Sequence, residues 1–480
     1  MSVRTPPRHA IVIMTDQHAR YASGAYSNPT ILTPNIDALA SRGTTYSAAY
    51  CNSPICVPSR ASIMTGRPVH EIGAWDNAHP YSGSPEGWSH ALRQAGVHTA
   101  VIGKMHFRSG TDDTGFNEVI EPLDVIGGVG DIYSLVREGM PPRPALADLV
   151  RDARVGESPY LDFDRRVADA ATDWIANAPL DESWVLLVSF ATPHHPLRVP
   201  QKYWDLYPDI EVEDTTAAPD TQHPYIAELR RVMGVGEAFE PDEISRARRA
   251  YYGLCTLADE LVGQVLTAAS DRGFDDETTT TIYTSDHGVS LGERGLWWKH
   301  HMYEESAGVP LIASGPRFAP GSRVAQPVSL TSLYPTLLDV FGVEDSRQSP
   351  LAGPTLPASD DSVPHTAGGF SEYHALGASS AAFLLRREQF KLVYFATEVA
   401  QLFDLEQDPG EHVDLVGDPR YAEKLAEMVA ELMSLVDVHG VDQRAREDQA
   451  RLIMAHGGRD AILADGFTIA FTPPPEAVTP

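Results

Sequence analysis

Cysteine is nearly missing: Cys51, Cys56 and Cys255 are the only three in 480 residues. Three thiols cannot build a disulfide framework, and such sparing use fits a reducing compartment. Long apolar runs are missing too. WVLLVSF at 184–190 is among the longest, well short of the roughly 20 apolar residues that a membrane-spanning helix needs. The apolar run in MSVRTPPRHAIVIMTDQH ends at Thr15 and Asp16, too soon for a signal-peptide core. The expectation is a cytoplasmic protein with no membrane partner. Positive charge is the third shortage, with 37 Lys and Arg against 66 Asp and Glu and a formal net charge of -29. That balance excludes a broad nucleic-acid-binding face, which needs Lys and Arg to neutralise phosphates. A small anion remains open, because a few clustered cations and a metal ion can make one positive pocket in an acidic protein.

What is present reads as an ordinary globular enzyme. Hydrophobic residues make up 42% and charged residues 21%, and the length suits a large domain plus a smaller one. Short β-branched runs alternate with helix-like segments: AIVIM then NIDALASRG, WSHALRQAG then HTAVIG, RRVADAATDWIANA then WVLLVSF, LADELVGQVLTAASDRG then TTTTIYTSD. The alternation predicts an α/β fold of parallel strands covered by helices on both faces. Asp16, Lys104, His194 and Asp286 each follow a strand. In open α/β sheets ligands bind at the carboxyl ends of strands, although a polar residue there can simply begin a loop. A stretch rich in Ser, Pro, Asp and Gly around 345–368 reads as a linker between domains at 1–365 and 366–480. The second would hold antiparallel strands in AAFLLRREQFKLVYF and QLFDL, one amphipathic helix in PRYAEKLAEMVAELMSLVDVHG, and an extended Pro-rich tail.

Two acid-led pairs, Asp16–Gln17 and Asp286–His287, offer carboxylate, amide and imidazole donors suited to one divalent cation; aspartates at strand ends also serve as caps and turns. In CNSPICVPSRASIMTGR, Cys56 stands four residues before Arg60. It is either a thiol activated by a neighbouring cation or a small buried residue.

CVPSRASIMTG resembles the signature of the sulfatase family, whose cysteine a dedicated enzyme oxidises to Cα-formylglycine. TPNIDALASRG, AGVHTAVIGKMH, TPHHP, TSDHGVSLGERGLWWKH, LTSLYPTLLDVFG and QLFDLEQDPGEHVDL resemble further blocks of that family, in family order, from about residue 8 to about 416. The resemblance implies an alkaline-phosphatase-like α/β/α sandwich with a large mixed, mostly parallel sheet, plus a smaller C-terminal α+β domain with a short antiparallel sheet. It implies a metal held by Asp16, Gln17, Asp286, His287 and the modified Cys56, with Ca²⁺ the expected ion and Mn²⁺ the alternative. Arg60 and Lys104 would hold the developing charge, and Asp286 would take the proton of the attacking hydroxyl. His106 would serve in sulfate release, and His194 and Lys299 would bind sulfate and protonate the leaving alcohol. Asn77, Trp75, His300 and His301 are candidate substrate contacts.

Gln17 and His287 stand where many members have Asp and Asn, a combination that resembles the branch of choline sulfatases and phosphonate monoester hydrolases. The segment 108–133 does not resemble the choline-binding segment. The expected activity is hydrolysis of a small alkyl or aryl sulfate ester, choline sulfate being one candidate, with phosphonate or phosphate ester hydrolysis as the alternative. The expected partners are that ester and, during maturation, a formylglycine-generating enzyme; a homo-oligomer is compatible with the sequence.

Overall fold

The computed structural model describes residues 8–137, 139–208, 210, 223–235, 239–360, 368–465 and 472–475. Its central sheet has eight strands: β1 (His9–Asp16), β2 (Thr44–Tyr46), β3 (His98–Lys104), β4 (Glu118–Leu123), β5 (Trp184–Pro193), β6 (Thr279–Ser285), β7 (Leu311–Ser314) and β8 (Ser322–Val324). They lie in the order β8-β2-β7-β6-β1-β5-β3-β4. The five from β6 to β4 are mutually parallel, whereas β7 runs against both of its neighbours and β8 follows β2 in parallel.

Strand alternation sends β1 side chains to two separate cores. Ile11 and Ile13 pack with Leu39 of α1 (Pro34–Arg42), Val167 of α4 (Pro159–Asn177) and Leu254 of α5 (Pro241–Asp271). Val12 and Met14 pack on the other face with Met64 of α2 (Cys56–Thr65), Leu92 of α3 (Trp88–Gln94) and Leu337 of α6 (Leu333–Phe341). A strand buried on both faces reads as a continuous apolar run, as HAIVIM does, and the outcome is the expected α/β/α sandwich.

The second sheet holds β9 (Gly369–Tyr373), β10 (Ala382–Arg387), β11 (Phe390–Phe395) and β12 (Gln401–Asp404), antiparallel in that order. The expected linker is partly described, and its residues 361–367 lie outside the described set, as does most of the tail. Where the sequence suggests one helix over 419–440, the described residues form α7 (Ala422–Leu435) and the start of α8 (Val438–Ala455), with α9 (Arg459–Asp465) following. Val436 leaves the helical region at φ -141, and the Asp437 carboxylate accepts the Gly440 N–H at 3.1 Å, so a new helix starts at once. Phe383 and Leu392 of this sheet pack beneath Leu432 and Val441, while Leu384 and Val393 pack on Tyr50 and Ile55 of the first part. Among the described residues no helix is long and apolar enough to cross a membrane.

Glu372 of β9 is buried between His70 Nδ1 at 3.0 Å and His374 Nε2 at 2.8 Å. Burial alone would raise its pKa, but the two imidazoles hold it far below the ordinary 4.5. A carboxyl group depressed in the folded state stabilises the fold above its unfolded pKa and loses that contribution as pH falls below it. Stability should therefore drop as pH falls below 4.5, and Glu372→Gln should flatten that acid limb in thermal melts recorded against pH.

Candidate active site

β1 and β6 are paired in register, Thr15 against Ser285, so Asp16 and Asp286 emerge side by side at the carboxyl edge of the sheet. The Asp286 Oδ1 accepts the backbone N–H of Gln17 at 3.1 Å and of His287 at 2.9 Å. Gln17 adopts a positive φ of 70, and neither atom of its buried side-chain amide has a hydrogen-bond partner.

Cys56 is the first residue of α2, entered from an extended Ile55 (φ -160). Pro58 is tolerated two residues on, because an N–H there would lack an intrahelical acceptor anyway. The Asn77 Oδ1 accepts the Val57 N–H at 3.1 Å. Cys56 Sγ lies 3.2 Å from His287 Nε2, 3.0 Å from Lys299 Nζ and 3.7 Å from Asp16 Oδ1. Asp16, Cys56, Asp286 and His287 are all buried, each with a potential ligand atom within 4.8 Å of the others. Two carboxylates, an imidazole and a nearby unpartnered amide make a donor set that suits a hard or borderline divalent cation.

Arg60 lies one turn along α2 and joins the two carboxylates: Nε donates to Asp286 Oδ2 at 2.8 Å and Nη2 to Asp16 Oδ2 at 2.9 Å. Its Nη1 donates to Ser189 Oγ at 2.9 Å and to the Lys104 carbonyl. Lys104 Nζ is 2.8 Å from Asp16 Oδ2, and His194 Nε2 is 4.0 Å from Asp16 Oδ1. Burial would raise the Asp16 pKa, yet Lys104, His194 and Arg60 hold it well below the usual carboxylate range. Burial and the neighbouring Asp16 push Asp286 up to about 7 and the Cys56 thiol up to about 11. Burial pushes His106, His194 and His287 well below 6.5, assisted by Lys104 and Arg60 at His106, by His195 and Lys299 at His194 and by Lys299 at His287, which keeps these imidazoles neutral.

The cluster opens into a cavity of about 390 Å³ whose walls include Cys56, Lys104, His106, His194 and Lys299. Of the candidate substrate contacts, Asn77 and His300 line it; Trp75 and His301 do not. The Trp75 Nε1 turns away to donate to Asp448 of α8 at 2.7 Å, and His301 Nε2 pairs with Ser290 Oγ at 3.0 Å. Asn77 sits in a turn fastened by Asp76, whose carboxylate accepts from the Ala78 N–H and Gln449 Nε2 of α8 at 2.8 and 2.9 Å and lies 2.8 Å from His79 Nδ1.

Sequence reasoning missed Asp131, Tyr133 and Arg143 on the cavity wall, Ser189 beside Arg60, and Asp164 of α4. The Asp164 carboxylate accepts the Ala191 and Thr192 N–H groups, both at 2.7 Å, where the β1–β5 register shifts just before His194. Its only sequence signal is an acid on the buried face of an amphipathic helix. Asp164→Asn would set an amide N–H against a backbone donor. It should cost about 1–3 kcal/mol in thermal unfolding and lower kcat through a displaced His194.

Residues 8–343 match the protein family described as Sulfatase. The chain belongs to the sulfatase family. A second family, described as N-sulphoglucosamine sulphohydrolase, C-terminal, matches residues 292–437. The chain is similar to a choline-sulfatase of Rhizobium meliloti (strain 1021), 35% identical over 87% of this chain and 85% of that one. It is also similar to arylsulfatase K of Danio rerio, 30% identical over 84% and 79%. Among solved structures, a phosphonate monoester hydrolase of Agrobacterium radiobacter shares the fold, with a TM-score of 0.71, 22% identity, and 90% and 95% of the two chains covered. The sulfatase is thus a sulfuric ester hydrolase of the alkaline-phosphatase-like superfamily. Membership implies a metal ion and a modified Cys or Ser, and the Asp16–Cys56–Asp286–His287 cluster has the composition for both.

Proposed function

We propose that this enzyme hydrolyses a small alkyl or aryl sulfate to the alcohol and inorganic sulfate, with Cys56 matured to formylglycine as the nucleophile. The observation that carries the reading is the position of Cys56 Sγ at the cavity floor, inside the metal-competent cluster and 3.0 Å from Lys299 Nζ. Asp16, Gln17, Asp286, His287 and residue 56 would hold the ion, Ca²⁺ ahead of Mn²⁺. The ion would polarise the sulfate oxygens and ease loss of the nucleophile's proton. The hydrated aldehyde offers one hydroxyl for attack on sulfur and a second whose deprotonation lets sulfate leave by carbon–oxygen cleavage.

The chain's own residues supply the rest. Asp286 takes the proton of the attacking hydroxyl. Arg60, fixed by both carboxylates, and Lys104 present positive charge to the reacting centre with no reorganisation. His106, buried with both ring nitrogens unpartnered, can accept the proton of the second hydroxyl. Lys299 and His194 bind sulfate oxygens, and Lys299 returns a proton to the leaving alcohol oxygen. Maturation requires a formylglycine-generating enzyme acting on the CVPSR segment.

Intact-mass analysis of the peptide bearing Cys56, after co-expression with that maturing enzyme, should show replacement of H2S by one oxygen atom. The matured enzyme should favour 4-nitrophenyl sulfate over a phosphonate monoester in kcat/KM; the reverse preference would make the phosphonate hydrolase reading the better one. Exhaustive chelation should abolish turnover and Ca²⁺ should restore it. Stoichiometric zinc in the purified protein would count against the metal assignment.

A further inference from the structure

We infer that His300 sets part of the specificity, its Nε2 accepting a hydrogen bond from an uncharged hydroxyl on the alcohol portion of the substrate; the inference rests on the sulfate-ester reading above. The His300 backbone N–H donates to the Pro54 carbonyl at 3.2 Å, which fastens the residue beside the entry to α2 and Cys56. The residue is 7% exposed and lines the cavity. The Tyr373 hydroxyl, at the end of β9, lies 2.7 Å from the Leu376 carbonyl and 2.9 Å from His300 Nδ1. A carbonyl can only accept, so the one phenolic proton goes to Leu376. Nδ1 must then carry a hydrogen and donate it to the phenolic oxygen, because two lone pairs would otherwise face each other. Burial, with the cation Lys299 alongside, holds the His300 pKa well below 6.5, so the ring is neutral and Nε2 keeps its lone pair. Among the described residues the contact with Tyr373 is the only hydrogen bond of this ring, and Nε2 points away from it.

A lone pair in that place sorts what enters the cavity. Sulfate oxygens only accept, so Nε2 repels them and leaves them to Lys104 and Lys299. An ammonium group can donate, but Lys104, Lys299 and Arg143 all stand on the same wall and oppose a further cation. A hydroxyl donates without charge. In a complex that excludes water, a buried acceptor left unmet is costly, and a pocket built around one rejects analogues that lack the donor. Choline sulfate and phenyl sulfate carry neither O–H nor N–H, whereas the monosulfate of a diol, such as a hydroxyphenyl sulfate, supplies the missing hydrogen. Tyr373 is not among the residues lining the cavity. It acts through His300, as a positioning residue that fixes the proton on Nδ1.

Nitrogen NMR and the binding of product alcohols separate this inference from the reaction itself. In metal-loaded, matured enzyme carrying isotope-labelled histidine, the ring signals lost in His300→Ala should be those of an Nδ1–H tautomer; signals of an Nε2–H tautomer would overturn the assignment. Calorimetry should find the best-bound of catechol, resorcinol and hydroquinone about tenfold tighter than its mono-methyl ether, the scale of one hydrogen bond to a buried partner. His300→Ala should bring that ratio close to one. Tyr373→Phe keeps the imidazole but frees its tautomer, so it should lower the ratio severalfold and let Nε2–H signals appear. Equal affinities for diol and ether in the wild type, or a ratio that survives His300→Ala, would overturn the inference. Turnover of hydroxyphenyl and methoxyphenyl sulfates is read separately. Its absence would strike the sulfate-ester reading and leave the ring signals and the affinity ratio to decide the role of His300.

Discussion

Cys56→Ala should abolish sulfate ester hydrolysis, by about 10⁴-fold or more, while the protein remains folded. Alanine keeps the helix start, the Asn77 contact to the Val57 N–H and the Arg60 bridge, because none of them involves the thiol. What disappears is the Sγ that lies 3.0 Å from Lys299 Nζ, 3.2 Å from His287 Nε2 and 3.7 Å from Asp16 Oδ1. Cys51→Ala is the matching control. Its Sγ is buried against the Ser306 carbonyl at 4.0 Å, outside the cluster, so that variant should cost about 1–2 kcal/mol of stability and keep its turnover. Steady-state assays beside thermal melts would decide the matter. Equal losses in the two variants would mean that packing, and not chemistry, explains the effect at residue 56.

Arg60→Ala should produce the largest combined loss. Arg60 is 1% exposed and donates to both Asp16 and Asp286, so its removal leaves two buried carboxylates facing each other. Breaking a buried pair from one side typically costs about 3–5 kcal/mol; Lys104 still faces Asp16, whereas Asp286 loses its guanidinium and keeps the backbone N–H contacts of Gln17 and His287. Lysine should not rescue it, since a point charge cannot serve both carboxylates, Ser189 and the Lys104 carbonyl in the guanidinium's fixed geometry. Thermal melts with and without Ca²⁺ give a second signature. A cation between the carboxylates takes over part of the missing compensation, so the metal-dependent rise in Tm should be larger in Arg60→Ala than in the wild type. A variant that matches wild-type stability without metal would contradict the bridging role.

The long parallel strands were legible because burial on both faces writes a continuous apolar run, as in HAIVIM and WVLLVSF. The short strands β2, β7 and β8, of three or four residues, carry no such pattern, and nothing local announces that β7 reverses direction. The residues proposed as nucleophile and metal ligands were singled out through the resemblance of CVPSR and the strand-end pairs to sulfatase motifs, and the structure brings Asp16, Cys56, Asp286 and His287 together. Arg143, Asp131 and Tyr133 reach the cavity from loops and short helices whose local sequence has no reason to signal it. Trp75 and His301 were drawn in by adjacency to functional segments. Neighbouring side chains diverge, however: His300, at φ 85, turns to the cavity while His301 turns to Ser290.

The turn at 76–79 gives the C-terminal helices a hold on the chemistry. Gln449 of α8 fastens Asp76, and the next residue, Asn77, steadies the first turn of α2 immediately beyond Cys56. The C-terminal region is therefore not an interchangeable cover. A chimera that imports this region from another sulfatase must bring a residue able to satisfy Asp76, or residue 56 will be held by a loosened turn.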